Sequence, residues 1–128
     1  MKAFKTEPTF STPKIILDKN SNTFVFSGRS LPENSDRFFT PVLEWFKEYS
    51  KNPNHETEIV FKLDYFNTST VQRFYQLFEI LKEMTEKSKV TIMWYYPDED
   101  VNLLDSGKDF AHVTGLNFKF ISYPYDLF

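Results

Sequence analysis

The amino-acid sequence predicts a single α/β (α+β) domain with a mixed β-sheet and helices packed on it. Short β-branched and aromatic runs alternate along most of the chain with segments whose apolar residues recur at helical spacing. The 128 residues fit one ordinary domain, and 41% of them are hydrophobic against 26% charged. We therefore expect one core and one domain over 1–128.

The first part of the chain predicts an extended arm followed by a β-hairpin. Residues 1–12 mix Lys, Thr, Ser and Pro without periodicity and are expected to form the arm. Two short apolar runs, Lys14–Leu17 and Thr23–Phe26, flank the turn-rich segment Asp18–Asn22, which is typical of a hairpin.

A structured loop and a first helix are predicted next. Gly28–Ser35 is dense in turn and cap residues, and helical spacing follows at Phe38, Val42, Trp45, Phe46 and Tyr49. Pro41 has no backbone N–H and its ring crowds the preceding turn. We therefore expect the helix to kink or restart with Thr40 as cap, its long part being 41–50.

A central strand leads directly into a second helix. Ile59, Phe61, Leu63 and Tyr65 alternate with the polar residues Glu58, Lys62 and Asp64, although Val60 is apolar too, and are expected to share one face. At Asn67 the period changes to 3.6, as shown by Val71, Phe74, Phe78 and Leu81. Ser69 with Gln72 matches a capping box, while Asn67 or Thr68 equally suits the cap. This helix is expected to end near Lys87.

The last third predicts a strand, a helix and a strand. Val90–Tyr96 is almost continuously apolar, as in a strand covered on both faces. Asp98–Asp100 opens a helix that Gly107 is expected to interrupt and Gly115 to end, with inward candidates at Val101, Leu104, Phe110 and Val113. Phe118–Ile121 forms the final strand. The order is β-β-α-β-α-β-α-β, and right-handed crossovers join the later strands.

Composition excludes several classes of function. The 15 Lys and Arg residues against 18 Asp and Glu give a net charge of −3, which argues against nucleic acid as a partner. No cysteine is present, and no long apolar run indicates membrane insertion, so we expect a cytoplasmic protein. The glycines lack phosphate-loop spacing, and His55 and His112 lack ligand spacing. We expect no cofactor, no metal and no enzymatic activity.

Hydroxyl residues are concentrated at the predicted strand-to-helix junction, Asp64–Thr70. Capping alone uses one hydroxyl and Asn67, and does not require three. A phosphate on Thr68 would lie near the positive end of the helix dipole, and would add about −1.5 to −2 charges to an exposed edge. A phosphorylation switch is therefore physically feasible at this junction.

The sequence resembles the SiaC family of bacterial regulatory phosphoproteins over nearly the whole chain. The matching segments are Gly28–Ser35, Phe38-Phe39, Pro41, Trp45, Tyr65–Ser69, Trp94–Tyr96 and Gly107–Phe110. The resemblance implies a domain like the anti-sigma-factor antagonists, the STAS type. It also implies that a dedicated kinase phosphorylates Thr68, that a PP2C-type phosphatase reverses this, and that the unphosphorylated form activates a diguanylate cyclase.

The site hypothesis assigns the following roles. Thr68 is the phosphate acceptor, and Asn67 and Ser69 shape its turn. The expected docking residues are Arg29, Glu33, Asn34, Ser35 and Thr70. Arg29 has two open roles, pairing with the phosphate or presenting charge to the partner. The alternative function is a small-ligand sensor of the STAS-like type, which requires a deep apolar pocket with converging polar groups.

Overall fold

The computed structural model describes residues 1–125, which form six strands and three helices in the order β-β-β-α-β-α-β-α-β. The strands are β1 (Phe4–Thr6), β2 (Lys14–Asp18), β3 (Thr23–Ser30), β4 (Glu56–Phe66), β5 (Lys89–Pro97) and β6 (Asn117–Tyr123). The helices are α1 (Ser35–Tyr49), α2 (Thr68–Met84) and α3 (Val101–Thr114). The mixed α/β class is confirmed.

The strands lie in the sheet in chain order, β1-β2-β3-β4-β5-β6. β1, β2 and β3 pair antiparallel, which confirms the hairpin, and β3 to β6 pair parallel. Each helix joins neighbouring parallel strands, so right-handed crossovers place all three helices on one face of the sheet. The core lies between that face and the helices, and stacked rings run across it from Phe26 to Phe61, with centroids 4.8 Å apart, and on to Trp94 at 5.6 Å.

Three expectations about the strands are corrected. The arm contains β1, whose Phe4 pairs with Leu17, so part of 1–12 is an edge strand. β3 continues to Ser30, which shortens the predicted loop. β5 is covered by helices on one face only, and Met93 and Tyr95 remain partly exposed on the other. A continuous apolar run therefore does not by itself show that both faces of a strand are covered.

The first helix is continuous through Pro41 and begins at Ser35, so Thr40 is not its cap. Asn34 caps it instead, its Oδ1 accepting from the Arg37 N–H at 3.0 Å. Phe39 and Val42, on either side of the proline, are at most 2% exposed. Burial of both side chains on one face offsets the hydrogen bond that Pro41 cannot donate.

The third helix is continuous through Gly107, and its buried face differs from the predicted one. Val101 and Val113 are 61% and 62% exposed, whereas Leu103, Gly107, Phe110 and Thr114 are buried. A Cβ on Gly107 would lie 2.5 Å from the Trp94 Nε1 atom. Glycine is therefore required here because the helix backbone packs directly on an indole ring.

Candidate functional site

The candidate site is the turn between β4 and α2. Asn67 is the helix cap, with φ −93° and ψ 176°, and its Oδ1 accepts from the Thr70 N–H at 3.0 Å. Its own N–H donates to the Ser30 carbonyl at 3.0 Å, which ties the turn to the end of β3. Of the three cap residues that the sequence allows, the structure selects Asn67, and Thr68 becomes the first helical residue.

The three hydroxyls that follow Asn67 lie in different environments. The Thr68 side chain is exposed, and within residues 1–125 its hydroxyl makes no hydrogen bond. The half-buried Ser69 donates from Oγ to Asn67 Oδ1 at 3.0 Å. Thr70 is fully buried. Thr68 is therefore the hydroxyl at this turn that a modifying enzyme reaches without opening an internal bond.

Thr70 belongs to a buried polar cluster that positions the turn. Its Oγ1 lies 2.9 Å from Ser30 Oγ, 3.0 Å from the Ser30 carbonyl and 2.9 Å from Asn67 Oδ1. The threonine has one proton to donate and also accepts from the Ser30 hydroxyl, so the cluster satisfies its buried oxygens internally. Asn67 is thereby held by contacts with both the helix and β3.

The predicted docking residues divide into exposed and buried groups. Glu33 and Asn34 are exposed and Arg29 is partly exposed. Ser35 is 9% exposed and Thr70 0%, so both are removed from the docking set because a partner cannot reach them in the folded chain. Asn34 has a structural role as well, since it caps α1.

Arg29 contacts two exposed aromatic rings. Its guanidinium carbon lies 4.8 Å from the centre of the Phe10 ring and 5.7 Å from that of Tyr65. Its Nε donates to the Phe10 carbonyl at 3.2 Å. Sequence reasoning missed both rings: Phe10 lies in an arm without periodicity, and Tyr65 was expected on the core-facing side of β4.

Tyr65 is turned outward by an irregularity in strand pairing. Gly28 pairs with Leu63 and Arg29 with Tyr65, so Asp64 is an extra residue on β4. Such a bulge shifts the inward and outward alternation by one residue. Tyr65 is consequently 49% exposed. The sequence signal that was available is the glycine at position 28. Its φ is 94° in the structure, a conformation that glycine adopts more readily than other residues.

The neighbouring edge of the sheet is acidic. Partial burial, followed by the charges of Asp64 and Asp100, raises the pKa of the Tyr123 hydroxyl above its ordinary value. A cavity of about 290 Å³ is lined in part by Asp64, Tyr65 and Asp100. A larger cavity of about 680 Å³ is lined by Asp98–Asn102 and Tyr125, nearly all of them exposed. Neither cavity is the deep apolar pocket that a small-ligand sensor requires.

No helix in the described part of the chain is long and apolar enough to cross a membrane.

Comparison with known proteins identifies the family. A family model described as SiaC family regulatory phosphoprotein matches residues 6–123. An uncharacterized protein of Pseudomonas aeruginosa strain UCBPP-PA14 is 26% identical over 111 residues, which cover 86% of this chain and 88% of that protein.

Solved structures share the fold. SiaC of Pseudomonas aeruginosa superimposes with a TM-score of 0.85 at 24% identity, covering 96% of this chain and all of that one. A chain in the crystal structure of the diguanylate cyclase SiaD with its activator SiaC, from the same species, gives a TM-score of 0.87 at 23% identity over 94% of this chain and 99% of that chain. With the family model spanning almost the whole domain, this chain belongs to the SiaC family of regulatory phosphoproteins.

Proposed function

We propose that this chain is a cytoplasmic, phosphorylation-controlled adaptor without catalytic activity of its own. A protein kinase phosphorylates Thr68, a PP2C-type phosphatase removes the phosphate, and the unphosphorylated form binds and activates a diguanylate cyclase. Family membership supports the regulatory role. The description of Pseudomonas aeruginosa SiaC as the activator of the diguanylate cyclase SiaD supports the choice of effector.

The exposed, unbonded hydroxyl of Thr68 is the observation that carries this proposal. The N–H groups of Thr68 and Ser69, in the first turn of α2, donate no hydrogen bond within residues 1–125 and are free at the helix end that carries the Thr68 hydroxyl. A phosphate there adds about −1.5 to −2 charges without breaking any contact of the fold. Phosphorylation therefore changes the charge of the surface while the scaffold stays in place, as partner switching requires.

The test compares Thr68→Asp with Thr68→Ala. Because Asn67 caps α2, the alanine variant keeps the cap, and both variants should melt within about 2 °C of the wild type. The dissociation constant for a purified diguanylate cyclase of the organism that encodes this chain is measured by calorimetry. We expect Thr68→Ala to bind as the wild type does and Thr68→Asp to bind at least about tenfold more weakly, since like charge at an interface costs affinity. Equal binding by the two variants rejects the switch.

Phosphate incorporation tests the acceptor residue separately. Purified protein kinases of the organism that encodes this chain are incubated with the wild type, Thr68→Ala and Ser69→Ala, and the phosphate is located by mass spectrometry. We expect Thr68→Ala to abolish incorporation and Ser69→Ala to retain it, because the Ser69 hydroxyl is already bonded to Asn67. Phosphate found on Ser69 in the wild type would overturn the assignment.

A further inference from the structure

An exposed stack of one cation and two aromatic rings lies beside the Thr68 turn. We name Phe10, Arg29 and Tyr65 the Arg29 stack. Phe10 is 80% exposed and Tyr65 49%, although both rings are large enough to favour burial. Aromatic residues and arginine are the residue types that dominate the energy of protein interfaces. The stack therefore has the composition of an interface anchor.

The stack is held in place before any partner arrives. Thr9 and Thr12 close a tight turn around Phe10, with the Thr12 N–H donating to Thr9 Oγ1 at 2.9 Å and the Thr9 N–H to the Thr12 carbonyl at 2.9 Å. The Leu31 N–H fixes the same turn to the end of β3 by donating to the Ser11 carbonyl at 2.8 Å. Side chains that are already ordered lose little entropy on binding, which favours affinity.

The Arg29 stack adjoins the Thr68 turn. Arg29 pairs with Tyr65 across the two strands, and the next residue of β3, Ser30, accepts the hydrogen bond from Asn67. Tyr65 precedes Thr68 by three residues, which span at most about 10 Å. This is about one Debye length at 0.1 M salt, so a phosphate on Thr68 would act electrostatically on a charge bound next to Tyr65.

The chemistry of the Arg29 stack favours a partner surface that carries a carboxylate beside an apolar side chain. The Arg29 Nε is used by the Phe10 carbonyl, while its two terminal amino groups make no hydrogen bond within residues 1–125. A guanidinium edge of this kind matches a carboxylate, and the flanking rings match an apolar side chain. A phosphate nearby would repel that same carboxylate.

We infer that the Arg29 stack anchors the diguanylate cyclase, which presents a carboxylate to Arg29 and a neighbouring apolar side chain to Phe10 and Tyr65. This inference rests on the proposed function and specifies where its partner docks. Of the two open roles of Arg29, the inference assigns it partner recognition, which is supported by its contacts with Phe10 and Tyr65 in the unphosphorylated chain.

The experiment measures, by calorimetry, the dissociation constants of variants of this chain for the same purified diguanylate cyclase. The stack variants are Phe10→Ala, Tyr65→Ala and Arg29→Lys, and the matched control is Val113→Ala, an equally exposed apolar residue on α3. We expect each alanine variant of the stack to bind at least about tenfold more weakly, as interface anchors do. Arg29→Lys should also weaken binding, because lysine keeps the charge and loses the planar edge. Val113→Ala should bind as the wild type does, and melting temperatures verify that all variants fold.

The outcomes separate the inference from the proposed function. Binding that is lost by Thr68→Asp but unchanged in Phe10→Ala and Tyr65→Ala overturns the stack as anchor and leaves the switch intact. Equal binding by wild type and Thr68→Asp, or no binding by the wild type, rejects the proposed function and the inference with it. Weakening by Val113→Ala to the same degree as the stack variants also overturns the inference, since it shows that no local anchor exists.

Discussion

Replacing threonine by valine at positions 68 and 70 tests the proposed regulatory hydroxyl of Thr68 against the structural hydroxyl of Thr70. Valine has nearly the shape of threonine and is also β-branched, so the two variants differ from the wild type only in the lost hydroxyl. The positions are two residues apart in the same helical turn. Thr70 is 0% exposed and Thr68 is exposed. The same chemical change therefore tests two opposite environments.

The expected magnitude at position 70 follows from the contacts of its hydroxyl. Removing it leaves the buried Ser30 hydroxyl without its partner at 2.9 Å, while Asn67 Oδ1 keeps the N–H of residue 70 and the Ser69 hydroxyl. One unsatisfied buried polar group costs about 1–3 kcal/mol. For a domain of this size a loss of about 2 kcal/mol lowers the melting temperature by roughly 6–10 °C. At position 68 no partner is lost, and we expect a change within about 0.5 kcal/mol.

Two assays report the two roles. Thermal unfolding followed by circular dichroism should show the large loss for Thr70→Val and almost none for Thr68→Val. Phosphate incorporation, measured at a temperature where both variants are folded, should be abolished in Thr68→Val and retained in Thr70→Val. A Ser30→Ala background should reduce the cost of Thr70→Val, because the orphaned partner is then absent. An unchanged melting temperature for Thr70→Val, or phosphate found on Thr70 in the wild type, would refute the reasoning.

Two further predictions concern packing and pH. Gly107→Ala should lower the free energy of unfolding by about 1–3 kcal/mol, because the new Cβ would lie 2.5 Å from Trp94 Nε1. This loss should exceed the gain from the higher helix propensity of alanine. Denaturant titrations measure the change, and an unchanged or raised stability contradicts the close packing. The raised pKa of Tyr123, caused by burial and then by Asp64 and Asp100, means that the folded chain keeps this proton longer than the unfolded chain. The resulting stability is fully present below about pH 10 and is lost as the pH rises through the folded pKa. Tyr123→Phe should therefore show a shallower loss of stability above pH 10 than the wild type, and identical slopes contradict this assignment.

Much of the sheet was predictable because its strands carry strong local patterns. The alternation in β4 and the continuous apolar run in β5 both predict strands at the correct positions. The shift in period at Asn67 places the start of α2 to within a residue. These signals depend on neighbouring residues in the chain, which the sequence displays directly.

The errors in α1 and α3 arise from contacts between distant segments. Pro41 was expected to kink α1 or to make it restart with Thr40 as cap, but the helix continues through Pro41. Phe39 and Val42 are both buried, and a local rule for proline does not include that burial. The buried face of α3 is set by Gly107 against Trp94, whose Nε1 also donates to the Leu103 carbonyl at 3.0 Å. No periodicity in α3 itself reports a contact with β5.

The site shows the same division between local and distant information. The sequence limits the helix cap to Asn67, Thr68 or Ser69. The residues make a phosphate on Thr68 physically feasible, and the family resemblance implies Thr68 as the acceptor. Which hydroxyl is buried depends on Ser30, 40 residues away from Thr70. The sequence does not show the contact with Ser30, so Thr70 was taken for an exposed hydroxyl and assigned to the docking set.

The bulge at Asp64 links the fold of β4 to the surface beside Thr68. Regular alternation after Leu63 would turn Tyr65 into the core and Phe66 outward. The extra residue reverses both: Phe66 packs on Phe74 with centroids 5.6 Å apart, and Tyr65 reaches Arg29 on the open face. The bulge also places Ser30 opposite Phe66. The Ser30 carbonyl then accepts a hydrogen bond from the N–H of the next residue, Asn67. A single irregularity in strand register therefore completes the core, exposes the aromatic ring and fixes the turn that presents Thr68.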